Sequence, residues 1–128
     1  MRPFEEAVAS ELAALLRAGV PVRGVQITVR EMLVTRMERG QLGAREVTDA
    51  VEAAVRAAGH LVRELDAPEE LAEIVCRSAL EAVRGHGGES ARWLMEATSA
   101  AYAVLDQLAL ERPDEATWRW LARQLPRW

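Results

Sequence analysis

From Pro3 to about Leu125 the apolar residues of this chain recur at three- and four-residue intervals, and the recurrence breaks only near glycines and prolines. That spacing lines apolar side chains along one face of an α-helix, so a chain patterned this way throughout folds as packed helices. The expected fold is all-α: a compact bundle of about five main helices in antiparallel hairpins, plus a short C-terminal helix. At 128 residues it is expected to form a single helical domain over 1–128. A chain of this length buries roughly two-thirds of its unfolded surface, enough for one core.

The helix boundaries follow from local chemistry. The first helix is expected over Pro3 to Ala18, with Phe4, Val8, Leu12, Leu15 and Leu16 on one face. Pro3 suits a first turn, where its missing N–H is not needed, and Glu5 and Glu6 favour the positive helix start. Gly19 ends it, and Val20-Pro21 enforces an extended step. The second element, about Arg23 to Arg39, reads two ways. Val25, Ile27 and Val29 alternate as in a strand, yet Val25, Val29, Met32, Leu33 and Met37 form a helical stripe. Helix is favoured, because a solitary strand would have no partner elsewhere.

A third helix is expected over Ala44 to Leu65. Asp66, Pro68 and Glu69 read as a restart in which Asp66 caps a fourth helix and Glu69 completes a capping box. The fourth helix runs to Gly85, a fifth spans Glu89 to Glu111, and a short sixth carries Trp118, Leu121 and Leu125. Helices two and three echo helices four and five at an offset of about 43 to 45 residues, the length of some helical repeats.

Aromatics make up 5% of the chain, so the core must be built from Ala, Leu and Val. All 16 basic residues are Arg, which points to a GC-rich, bacterial genome. The net charge of −4 opposes a surface given over wholly to nucleic acid, while leaving room for a local basic patch. Cys76 is the only cysteine, which excludes an internal disulfide and fits a reducing cytoplasm. No signal-peptide apolar region opens the chain, and no apolar run nears the roughly 18 residues of a spanning helix. A cytoplasmic location without a transmembrane segment is expected.

Residue types that carry chemistry are sparse. His60 and His86 are the only histidines, and neither belongs to a Glu-x-x-His unit. With Cys76 they make a poor ligand set, so neither a metal nor a cofactor is expected. Cys76 lies mid-helix beside Val75, as a packing thiol does. Carboxylate pairs such as Glu46 and Asp49, or Glu69 and Glu73, read better as solvated helix faces. Glu52-Arg56, Glu73-Arg77-Glu81 and Arg92-Glu96 have the spacing of surface ion pairs, worth about 0.2–0.5 kcal/mol each.

Two segments stand out. Residues 11–30 resemble a helix-turn-helix, with Gly19 as the turn glycine and Val20 and Val25 as inward residues. The resemblance implies that Arg23, Gln26 and Arg30 meet phosphates or base edges. Leu15, Pro21 and Gly24 depart from that pattern. The C-terminus holds three of the four tryptophans, interleaved with arginines. Trp118, Trp120, Arg123, Arg127 and Trp128 are the partner-binding candidates, since Trp and Arg are enriched where binding energy concentrates. Docking of this segment on the bundle's own core through Trp118, Leu121 and Leu125 is favoured over docking on a partner or contact with a membrane surface, with Trp120 or Trp128 left as exposed anchors. The small-residue run Ala97 to Ala101 would let another helix approach closely.

The expected function is a non-catalytic protein–protein interaction module acting through helix faces, self-associating as a homodimer. A DNA-binding regulator using residues 11–30 stands second. A carrier or enzyme for a small anionic ligand, held by arginines between helices, stands third.

Overall fold

The structure, a computed structural model, describes residues 3–39, 44–85, 90–108 and 110. Among them five helices occur and no strand: α1 (Pro3–Arg17), α2 (Val22–Arg39), α3 (Ala44–Glu64), α4 (Glu70–Arg84) and α5 (Ser90–Gln107). The all-α bundle is thus as the periodicity predicts. The short sixth helix, expected beyond Pro113, lies outside the described residues.

Gly19 ends α1 by its conformation. Its φ of 68° is open to glycine at no steric penalty. The amide of Gly19 bonds to the Leu16 carbonyl at 3.1 Å and that of Val20 to the Leu15 carbonyl at 3.0 Å. This is the two-bond Schellman closure, which satisfies carbonyls otherwise orphaned at a helix end. Pro21 then begins α2 at once, its carbonyl accepting from Gly24 at 2.9 Å and Val25 at 3.3 Å. Residues 22–39 are one unbroken helix, so the strand alternative for 25–30 is excluded. Val25, Val29, Leu33 and Met37 face the core, while Ile27 sits half-buried on a flank.

The turn between α3 and α4 differs from expectation. Asp66 does not cap α4; it takes a left-handed φ of 56° and serves to end α3. Asp tolerates that region better than most side chains. Ala67 N–H reaches back to the Leu61 carbonyl at 3.0 Å. The cap position of α4 is Glu69, in a helical conformation and with no side-chain cap bond. The Pro68 carbonyl accepts from Leu71 at 3.0 Å and starts the turn instead.

The helices pack mainly with their next-but-one neighbours. α1 lies against α3 and α3 against α5, forming one row; α2 lies against α4 in a second row. α3 also packs well on α4, and α4 on α5, whereas α1 and α2 barely touch each other. The second row meets the first chiefly through α4. The core runs through all five helices, from Val8 and Leu12 to Val104 and Leu105. Small residues let α3 and α5 close up: Ala54, Ala57, Ala58, Ala97 and Ala101 are each 0% exposed. Gly59 admits Leu108 and Leu110 of the chain beyond α5. The Arg63 guanidinium, on α3, donates to the Leu108 carbonyl at 3.0 Å through Nε, tying the end of α5 to the end of α3. That tie joins the ends of α3 and α5, and Pro3 and Phe4 meet Glu46, Asp49 and Ala50 near the start of α3, so α1, α3 and α5 run in one direction.

Candidate functional site

Burial and position separate the residues singled out by sequence. Trp118, Trp120, Arg123, Arg127 and Trp128 lie outside the described residues, as does His86. Arg23 is exposed near the start of α2. Gln26 is 1% exposed, so it faces the core and not a groove of DNA. The reason lies in the helical period: Gln26 stands between Val22 and Val25 on one side and Val29 and Leu33 on the other, on the inward stripe. Its Oε1 has no hydrogen-bond partner. Arg30 is half-buried and lies along the end of α4, its Nη2 3.5 Å from where a Cβ on Gly85 would stand. Arg23, Gln26 and Arg30 therefore share no exposed face.

The other candidates divide in the same way. His60 Nδ1 is 4.0 Å from Glu64 Oε1, an exposed pair one turn apart. Cys76 is fully buried, and that burial, with Glu73 nearby, pushes its thiol pKa up to about 12. It is a packing residue by environment. Ala97 and Ala101, the two ends of the small-residue run, are turned into the protein's own core. Among the described residues no three His, Cys, Asp or Glu side chains are grouped to hold a metal ion. Among them, too, no helix is long and apolar enough to cross a membrane. Arg56 pairs with Glu52 at 2.6 Å and Arg77 with Glu81 at 3.0 Å, as their spacing predicts.

The structure brings together a different set. Because α1 rests on α3 and α2 on α4, a cleft of about 580 Å³ stays open between the first two helices. From α1 it is lined by Phe4 and Glu11; from α2 by Thr28, Glu31, Met32, Thr35, Arg36 and Arg39. The Arg36 guanidinium sits over the Phe4 ring, 5.7 Å from its centre. Cation–π contacts of this kind contribute about 0.5–1 kcal/mol at exposed sites. Behind that pair lies a second hollow of about 560 Å³, where Pro3 and Phe4 meet Arg36, Glu46, Asp49, Ala50 and Ala53. Phe4 and Arg36 are thus a shared wall between the two spaces.

A third hollow, about 390 Å³, lies under the α1–α2 corner. Leu16, Val20, Pro21, Val22, Val25, Leu71 and Ile74 make it mostly apolar, with Pro68 and Glu70 at its edge. Ligand pockets commonly fall between about 300 and 1,000 Å³, so all three have useful size. Their chemistry differs from that of an anion site. Both hollows lined by arginine are lined by carboxylates as well: Glu11 and Glu31 in one, Glu46 and Asp49 in the other. Such mixed walls suit a partner surface carrying both signs of charge, set around apolar contacts.

The apolar spacing puts Phe4 and Met32 on the apolar faces of their helices. Both are only partly buried and pack against the edge of the core. No local signal sets Met32 apart: two helical turns from Val25, it shares that residue's stripe, and only the packing of α2 leaves it at the edge. The pairing of Phe4 with Arg36 had no local signal, since it depends on where the turn at Gly19 sends the chain. Set against known family models, curated proteins and solved structures, the chain matches none.

Proposed function

We propose that this chain is a non-catalytic interaction module of the cytoplasm that binds protein through the paired faces of α1 and α2. The observation that supports the reading most is the cleft between them, with Phe4 and Met32 in its lining and carboxylates and guanidinia around them. A helix laid in such a groove would bury apolar side chains and meet charge at the rim, a recurring mode of recognition. The single buried thiol, Cys76, is compatible with a reducing compartment. In this reading Trp118, Trp120, Arg123, Arg127 and Trp128 supply a further set of anchors.

Photo-crosslinking tests it. A photoreactive residue is placed at Thr35, in the cleft, and separately at Gln107, exposed at the end of α5. Protein adducts formed in the host at Thr35, and absent at Gln107, are expected. No protein adduct at Thr35, together with a small molecule retained in native mass spectrometry, overturns the reading in favour of a ligand carrier.

A further inference from the structure

Charge is not spread evenly along the α1–α2 cleft. Phe4, near the start of α1, meets Arg36, near the end of α2, so the two helices pass in opposite directions. Arg36 and Arg39 consequently mark one end of the cleft, and Glu11 and Glu31 the other, with Met32 between them. At 1.5 Å per residue, Glu31 and Arg39 lie about 12 Å apart along α2. Among the described residues none of these four charged side chains has an ion-pair partner. A uniformly acidic or basic helix would meet repulsion at one end of such a cleft. A surface positive at one end and negative at the other is complementary to itself when turned about a two-fold axis through its middle. Two-fold dimers use one patch twice in this way.

We propose that the occupant of the cleft is a second copy of this chain, bound about a two-fold axis near Met32. Arg36 and Arg39 of one copy then face Glu11 and Glu31 of the other, and each Met32 is covered. This rests on the interaction reading above and names its partner. The surface is the right kind for the purpose: α1 and α2 contribute a two-helix layer whose members contact each other little, and a second such layer would complete a four-helix packing.

The test is sedimentation velocity of the full chain over a concentration series, with charge reversals. Glu31→Arg or Arg39→Glu alone sets like charges opposite one another at both symmetry-related contacts; the double variant restores opposite signs. Each single reversal is expected to raise the dimer dissociation constant at least about tenfold, and the double variant to return within about threefold of the original. Both positions are exposed, and far-UV circular dichroism checks that the variants are folded. Should one fail to fold, the unmodified chain still decides: its association must weaken as salt rises, because these charges are solvent-facing. A monomer at every concentration overturns the proposal, as does a dimer indifferent to the reversals and to salt. Crosslinks from Thr35 to a different protein in the monomeric case would leave the interaction reading standing while this one falls.

Discussion

Replacing Gln26 by Met is expected to make the protein more stable. Gln26 is 1% exposed, and its Oε1 has no hydrogen-bond partner. An amide oxygen taken from water and left unpaired costs about 1–3 kcal/mol. Met is unbranched, close to Gln in length and similar in helix propensity, so it fills the same space in α2 without the polar atom. The expected gain is about 1–2 kcal/mol, the larger part of that desolvation penalty after loss of whatever the amide nitrogen contributes. For a chain of this size it corresponds to roughly 3–6 °C in midpoint temperature. Urea unfolding followed by circular dichroism measures it, as a midpoint that rises while the slope stays constant. Gln26→Ala, by contrast, removes volume from a packed helix and should destabilise. A Met variant less stable than the original by more than about 1 kcal/mol would refute the reasoning, since it would mean that Oε1 is satisfied in solution. The same protein reports on function. Gln26→Met that is stabilised and keeps its partner shows that the polar group is not part of recognition. Stabilisation with loss of the partner would show stability exchanged for use.

Cys76 should resist thiol reagents at pH 8 until the protein unfolds, because burial and Glu73 raise its pKa to about 12. The folded state holds that proton more tightly than the unfolded state, whose thiol titrates near 9.0. The stabilisation is therefore complete below pH 9 and is lost as pH rises toward 12, at up to about 1.4 kcal/mol per pH unit. Cys76→Ala should lack that component when unfolding midpoints are compared across the alkaline range. Gly19→Ala should cost about 1–2 kcal/mol by chemical denaturation. Nothing lies within 4 Å of a Cβ at that position, so the penalty is one of backbone conformation alone and a full loss of folding would contradict it. Arg63→Ala removes the bonds to the Leu108 carbonyl. It should speed amide hydrogen exchange at the end of α5, with about 1 kcal/mol or less of global effect because Arg63 is exposed; unchanged exchange at Leu108 and Leu110 would exclude the tie.

How much of this was legible in sequence depended on whether one residue or two helices carried the information. Gly19 could be read because few other residues enter its conformation, and its turn came out as expected. Asp66 was misread because one side chain serves two purposes. The Asp66–Glu69 spacing is that of a capping box, but Asp also accepts positive φ, and here the second use prevailed. Gln26 enters as a base-edge candidate only through the helix-turn-helix resemblance; its position among Val22, Val25, Val29 and Leu33 is the better guide. The cleft could not be read at all. Phe4 and Arg36 lie on different helices, and only the packing of α1 on α3 and of α2 on α4 brings them together.

That same packing has a bearing on how the protein opens. α3 has neighbours in α1, α4 and α5, whereas α1 depends chiefly on α3, and α2 chiefly on α4. Local unfolding begins where few contacts must break, so amides in α1 and α2 should exchange ahead of those in α3 and α4. As the chain leaves the ribosome, α1 and α2 emerge with little to hold each other and gain their supports only when α3 and α4 follow. The two walls of the cleft are thus hinged on separate foundations. Loss of one wall's support is therefore expected to expose the groove from that side first, with exchange in α1 and in α2 responding separately to substitutions in α3 and in α4.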